Sequence, residues 1–254
     1  ALQTHLGFRD KLSAEDIARI TDFESRIYVA QQRSRVGGEL DGGGAHGGPA
    51  MLRDSPAGRL GSQGVPLWSE FKPWADAARD PTLTPAQRAW RESVARGAEN
   101  FRERTFLISD SSGINSRIGF GNPVRDRCAF CHNMSQMGMD VAPGQVDLGT
   151  TTQPFADSQP HLPLFRITCS GPPHPHYGKV IHTHDPGFAL TTGQCSDVGK
   201  ITLQTLRGLA ARAPYFSNGS AKTLREVIEY YDRRYNIGYS EQEIQDLVHL
   251  MEAL

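Results

Sequence analysis

The sequence predicts a mainly α protein with long loops, and three observations support this class. Ser or Thr caps, followed three residues later by Glu or Gln, begin three segments whose apolar residues recur at helical spacing. No stretch alternates apolar and polar residues over more than a few positions, as a half-buried strand would. The 26 glycines and 16 prolines among 254 residues require much irregular backbone.

The first predicted helix lies in SAEDIARITDFESRIYVAQQ. Ser13 can cap its first backbone N–H groups, and apolar residues follow at helical spacing, at Ile17, Ile20, Phe23, Ile27 and Ala30. The glycine-rich stretch GGELDGGGAHGGPA comes next and cannot hold a helix. We therefore expect irregular backbone from this stretch through Pro66.

Three further helices are predicted to begin with a capping box. They are TPAQRAWRESVARGAENFRER from Thr84, TLREVIEYYDRRY from Thr223 and SEQEIQDLVHLMEAL from Ser240. Residues 140–200 carry little periodicity, and we expect ordered loops with short elements there. A loop-rich chain with only 38% hydrophobic residues needs another source of order, which a large buried cofactor would supply.

The segment RDRCAFCHNM holds the strongest chemical pattern, with Cys128 and Cys131 two residues apart and His132 directly after them. Zinc, a thiol redox pair, a structural pair and covalent haem are the competing explanations. Zinc usually needs a second ligand pair at comparable spacing, and the other two cysteines each lack a neighbouring cysteine. A thioredoxin-type pair would lie within a βαβ pattern, which is absent from the sequence.

Covalent haem explains this pattern best, because two thiols from one helical turn can add across the two vinyl groups of the porphyrin. The sequence therefore predicts one haem c, attached at Cys128 and Cys131 and bound through iron by His132. Haem c is attached outside the cytoplasm in bacteria, so we expect a periplasmic or otherwise extracytoplasmic location. In that oxidising compartment we expect a disulfide between Cys169 and Cys195.

Three stretches resemble the haem-containing C-terminal domain of the bacterial di-haem cytochrome c peroxidase family, which includes the MauG-type enzymes. They are GNPVRDRCAFCHNM, LTTGQCSDVGK and LRGLAARAPYFSNGSAKTLREVIEYYDRRYNIGYSEQEIQDLVHLMEAL. The resemblance covers residues 105–254 and implies a cytochrome c-like haem domain there. Residues 1–104 are then a helical, glycine-rich N-terminal segment, a remnant or part of a preceding domain.

Two features depart from the pattern of this family. Family enzymes carry two haems, each with its own CxxCH motif, whereas this chain has one such motif. APYF is normally followed by histidine, and Ser217 stands in that place here. No role of that histidine can therefore be transferred to this chain, and the second haem would belong to another polypeptide or to a missing segment.

The resemblance also implies a second axial ligand for the iron. Counting without gaps from APYF, the position of the family's distal methionine falls on Tyr231, and MauG-type members use tyrosine there. Tyr230 would serve if the register slips by one residue, and an open sixth position would favour peroxide binding. Met137 and Met139 lie too soon after the motif, and Met251 has the spacing of a core residue.

The segment PHPHYGKVIHTHD brings four histidines close together, namely His174, His176, His182 and His184. Such a cluster could hold a metal, ligate the haem of a second chain or tune the edge of the haem. The prolines make a constrained surface loop with solvated imidazoles the plainer interpretation, and it is the one we expect.

From these features we expect a c-type cytochrome that transfers electrons within or to an oxidoreductase of the cytochrome c peroxidase-like family. The alternatives are a peroxidase or MauG-like oxidase acting on hydrogen peroxide, and a binding or structural module without haem. The expected partner is a redox protein or a second haem-bearing chain. A net charge of −1 without a Lys/Arg-rich run argues against nucleic acid, and no apolar stretch approaches the roughly 18 residues of a membrane span.

Overall fold

The computed structural model describes residues 12–25, 30–49, 69–117, 119–132 and 145–254. Their helices are α1 (Ala14–Glu24), α2 (Pro85–Glu103), α3 (Cys128–Cys131), α4 (Ala189–Thr192), α5 (Leu224–Tyr235) and α6 (Glu241–Ala253). The 3₁₀ helices of these residues are Lys72–Arg79, Cys195–Asp197 and Leu209–Ala211. This part of the chain is mainly α with long loops, as the sequence predicts.

The strands of the described residues form three antiparallel two-stranded sheets. They pair β1 (Arg33–Ser34) with β2 (Gly38–Glu39), β3 (Phe106–Ile108) with β4 (Val124–Asp126), and β5 (Phe165–Thr168) with β6 (Val180–Thr183). The last pair and the short α4 agree with the short elements expected in residues 140–200. The expectation of irregular backbone from Gly37 through Pro66 is wrong at β2, and residues 50–68 lie outside the described part.

The helix starts follow the capping chemistry predicted from the sequence. Thr84 and Gln87 satisfy each other's backbone N–H groups at the start of α2, as Ser240 and Glu243 do at α6. Thr223 accepts from the N–H of Glu226 at 3.2 Å, but the Glu226 carboxylate accepts from the N–H of Lys222. The predicted box at α5 is therefore only half formed, because the acidic side chain binds one residue earlier.

The first helix is shorter than predicted. It ends at Glu24, Ile27 lies outside the described residues, and Ala30 is in a bend. Its apolar residues Ile17 and Phe23 are 52% and 66% exposed. The apolar period thus predicts the helix correctly, while the described residues do not cover its apolar face.

Two hydrophobic clusters meet at the cysteine motif. The larger joins α2, α5 and α6 through residues such as Val94, Ile228 and Leu247. The smaller holds Phe106, Ile108, Ile114, Val146, Leu203, Tyr235 and Ile237. Cys128 packs against both clusters, so the motif lies where they join.

The domain boundary at residue 104 stays a prediction, although α2, which precedes it, packs on α6. No helix in the described ranges is long and apolar enough to cross a bilayer.

We expect Gly97→Ala to lower the free energy of unfolding by about 2 kcal/mol, because α2 and α6 touch at this glycine. An added Cβ would collide with the Asp246 carbonyl, whose carbon would lie 2.7 Å away, and would come within 3.1 Å of Leu250 Cβ. The helix propensity gained with alanine, about 1 kcal/mol, offsets only part of that overpacking. Denaturant unfolding measures the difference. Gly171→Ala is the control. Apart from the chain neighbours of Gly171, no described residue lies within 4 Å of the position that the added Cβ would take. An equal loss in both variants would contradict the packing argument.

Candidate functional site

The cysteine motif is presented by a hairpin and a single helical turn. Strand β4 ends at Asp126, Arg127 is extended, and α3 begins at Cys128. The His132 N–H donates to the Cys128 carbonyl at 3.3 Å, which closes the turn. Residues three apart on a helix share one face, so both thiols leave the same side of α3. The imidazole of His132 follows at the end of the turn, 6.0 Å from the Phe101 ring on α2.

A cavity of about 790 Å³ opens beside this turn, and Cys128, Cys131 and His132 all border it. Its wall is mostly aliphatic and aromatic and draws on both hydrophobic clusters, with Phe101, Phe106, Ile108, Ile114, Leu203, Leu224, Ile228, Leu247 and Met251 among its members. Cavities of this size and character hold cofactors and drug-sized ligands. The two thiols and the imidazole therefore face a space suited to a large apolar group.

The two neighbouring tyrosines of α5 have different surroundings. Tyr231 borders the cavity, whereas Tyr230 is not part of its wall. Tyr230 is 3% exposed, and its hydroxyl donates to the Leu148 carbonyl at 3.1 Å. The structure thus brings Tyr231, and not Tyr230, to the cavity that holds the cysteine motif. Met137 and Met139 lie outside the described residues.

Burial sets the protonation of the groups around the cavity. It raises the pKa of the Cys128 thiol to about 11, and it raises the pKa of the Tyr231 hydroxyl strongly. Burial also raises the pKa of Tyr235 to about 12 and that of Tyr239 further. At neutral pH these groups are uncharged, which keeps the apolar cavity free of buried anions.

Two cavity residues, Tyr239 and Arg212, were not singled out from the sequence, and Met251 was singled out only as a core residue. Tyr239, on the link between α5 and α6, borders the cavity and holds its hydroxyl 3.8 Å from Cys128 Sγ. Met251 is buried in the core, as its spacing predicts, and also reaches the cavity wall. Arg212 lies just before APYF and also borders the cavity. It is the single charged residue in the run GLAARAPYF, and that was the sequence signal that could have identified it as a candidate.

The APYF segment forms part of the cavity wall and is held in an unusual backbone conformation. Phe216 has a φ of 66°, in the left-handed region that aromatic residues seldom adopt. Its ring meets Tyr230 edge-on at 5.1 Å and Tyr231 at 6.1 Å. Ser217, which stands where the resemblance implies a histidine, also borders the cavity.

The four clustered histidines do not form the solvated loop expected from the sequence, and that expectation is wrong for three of them, since the side chain of His176 is also only 8% exposed. His174 and His184 are buried, because the β5–β6 hairpin folds against the segment around Thr151. The Nδ1 atom of His174 accepts the N–H groups of His176 and Tyr177, at 3.1 and 3.2 Å. Burial lowers the pKa of His174 to about 4, so the ring is neutral with its proton on Nε2, where a metal would need a lone pair.

The remaining histidines give no complete metal site either. The Nδ1 atom of His184 donates to the Pro163 carbonyl at 2.9 Å, and His182 is exposed. His176 lies 3.6 Å from the carboxylate of Asp110. Over the ranges that the structure describes, no group of three His, Cys, Asp or Glu side chains is arranged to hold a metal ion.

The other two cysteines form the disulfide that the sequence predicts. Cys169 and Cys195 are joined, with Cα atoms 5.7 Å apart. The bond ties β5 to the 3₁₀ segment Cys195–Asp197, and with Ile181 and Val198 it forms a small third cluster. Cys128 and Cys131 lie outside this bond.

The chain is similar to curated proteins named cytochrome-c peroxidase. It is 32% identical over 198 residues to cytochrome-c peroxidase IdrP1 of Pseudomonas sp. (strain SCT), a match covering 68% of this chain and 50% of the relative. It is 29% identical over 163 residues to IdrP2 of Denitromonas iodatirespirans, covering 59% and 42%. A match to IdrP1 of the same organism has 35% identity over 81 residues, which is 28% of this chain and 22% of that relative.

The chain spans about half the length of the first of these relatives and less of the other two. No family profile matches the chain, and no solved structure matches it significantly. The matches to IdrP1 and IdrP2 agree with the resemblance drawn from the motif and from the APYF segment. By sequence, the chain belongs to the cytochrome c peroxidase family.

Proposed function

We propose that this chain is a c-type haem domain that passes electrons within a cytochrome c peroxidase-like oxidoreductase outside the cytoplasm. The observation that carries the proposal is the convergence of Cys128, Cys131, His132 and Tyr231 on one large apolar cavity. Cys128 and Cys131 would hold the porphyrin through thioether bonds, and His132 would bind the iron. Tyr231 is the proposed partner of His132. One haem per chain follows from the single CxxCH motif.

The residues present fit such a group. Covalent haem needs two thiols on one turn, an adjacent imidazole and an apolar enclosure of several hundred Å³. The turn of α3 supplies the first two, and the cavity of about 790 Å³ supplies the third. Zinc is a poorer fit to the same residues, because no second ligand pair joins the motif among the described side chains.

Haem c, when bound, supplies a one-electron redox centre whose potential depends on its axial ligands, its burial and the charges around it. The residues of this chain would set those conditions. The Phe101 ring packs 6.0 Å from the His132 ring. The mostly apolar wall would surround the group, and the uncharged tyrosines place hydroxyl groups at the cavity without adding a negative charge.

A second candidate function is reduction of hydrogen peroxide at the same site. The relatives named cytochrome-c peroxidase favour it. Electron transfer requires only a haem with two stable axial ligands, whereas peroxide reduction requires a coordination position that the peroxide can occupy. Tyr231 distinguishes the two, since a tyrosine bound to iron would fill that position.

An intact mass, a visible spectrum and a peroxide assay test the two functions together. The proposal expects one covalently bound haem in the chain purified from a host that matures c-type cytochromes. A low-spin spectrum that peroxide does not change supports electron transfer. Rapid peroxide consumption with a reduced electron donor supports the second candidate. A polypeptide with no added mass and no Soret band would overturn both.

We expect Tyr231→Phe to change the visible spectrum of the haem-loaded protein and Tyr230→Phe to leave it unchanged. The two variants remove the same hydroxyl group from adjacent residues of α5, but only Tyr231 borders the cavity. If Tyr231 binds iron, its loss opens a coordination position, the ferric spectrum becomes high-spin, and peroxide or cyanide then binds at least tenfold more tightly. Absorption spectra and ligand titration measure both effects. Identical spectra for all three proteins would exclude Tyr231 as the ligand.

A further inference from the structure

Among the described residues, the charged side chains of the cavity wall are all cations. Arg127, Lys200 and Arg212 border the cavity, and no aspartate or glutamate is among its lining residues in the described part of the chain. A mostly apolar wall whose described charges are all positive suits a large apolar ligand that carries carboxylate groups. Haem is such a ligand, since its two propionates leave one edge of the porphyrin.

Two of the three cations already have carboxylate partners. Arg127 lies 3.5 Å from carboxylate oxygens of both Glu103 and Asp126. The ammonium group of Lys200 lies 2.9 Å from Asp197. Their charges are therefore largely offset within the protein and are less available to a ligand.

Arg212 differs from the other two cations. Its Nη2 atom donates to the Thr205 carbonyl, which anchors the guanidinium at the cavity wall. Its Nε atom is buried and has no hydrogen-bond partner among the described residues, where Arg212 also forms no ion pair. A buried, unsatisfied charged donor is costly, and a carboxylate of the ligand would satisfy it. The planar guanidinium can bind a carboxylate through two parallel hydrogen bonds.

We propose that Arg212 binds a propionate of the haem, an inference that rests on the proposed haem function. Neutralising the propionate by a cation disfavours the more positive ferric state and so raises the reduction potential. Arg212→Gln removes that charge while keeping a polar side chain. We expect the ferrous-to-ferric ratio at a fixed potential to fall about tenfold, which is about 59 mV for a one-electron couple.

Spectroelectrochemical titration of the haem-loaded wild type, Arg212→Gln and Arg212→Lys measures this shift. The lysine variant keeps the charge, and we expect its potential to lie close to that of the wild type. Arg166→Gln is the matched control, because Arg166 lies exposed on β5 and is not part of the cavity wall. Arg212→Met supplies a second neutral variant in case the glutamine variant fails to fold.

The outcomes separate this inference from the function on which it rests. A lowered potential in the neutral variants, restored by lysine and absent from the Arg166 control, supports binding of a propionate by Arg212. Haem-loaded neutral variants with the wild-type potential would overturn it while leaving the haem assignment intact. A wild-type chain without covalent haem would overturn the proposed function, and this inference with it.

Discussion

Replacing Cys128 and Cys131 together by alanine is expected to abolish covalent haem attachment completely. Thioether bonds form only from the two thiols of the motif, and both thiols border the same cavity. Intact mass after acid-acetone extraction should then equal that of the polypeptide alone, whereas the wild type should exceed it by one haem. The visible spectrum of the extracted double variant should lack a Soret band.

The disulfide provides a matched control for this prediction. Cys169→Ser with Cys195→Ser also removes two sulfurs, but from a bond between β5 and a 3₁₀ segment that lies outside the cavity wall. That variant should keep its haem, although it loses stability, because a disulfide typically contributes about 2–4 kcal/mol. Equal haem loss in the two double variants would show that folding, and not the motif chemistry, governs attachment.

Asp246→Ala is expected to lower the free energy of unfolding by about 3 kcal/mol. Asp246 is 4% exposed on α6, and its carboxylate accepts hydrogen bonds from two side chains of α2. The Ser93 hydroxyl donates to it at 2.5 Å, and the Arg96 guanidinium binds both of its oxygens at 2.9 and 2.8 Å. Alanine would leave these donors without their acceptor. Chemical denaturation followed by circular dichroism measures the loss.

Asp157→Ala is the control for this buried network. Asp157 pairs with Arg233 at 2.8 Å, but both side chains are more than half exposed. Water screens such a pair, so its removal should cost less than about 1 kcal/mol. A similar loss of stability in the two variants would contradict the argument that burial makes Asp246 important.

The capped helices could be predicted from the sequence because their signals are local. Thr84, Ser240 and Ser13 cap α2, α6 and α1 as the neighbouring residues imply. The cysteine motif is also local, since its chemistry needs only residues within one turn. The family could be inferred because the motif and the APYF segment occur together in one chain. The burial of His174 and His184 could not be predicted from the sequence, because it depends on where the β5–β6 hairpin packs.

The sequence by itself determined the helix starts, and it predicted the CxxCH chemistry and α5 as the source of a second ligand. Only the tertiary structure decided between Tyr230 and Tyr231 as neighbours of the cavity, and only it brought Arg212 and Tyr239 to the same wall. The physical reason is the distance along the sequence between the residues that interact. Caps and thioether sites depend on atoms a few residues apart, whereas a cavity wall depends on how helices distant in sequence pack together.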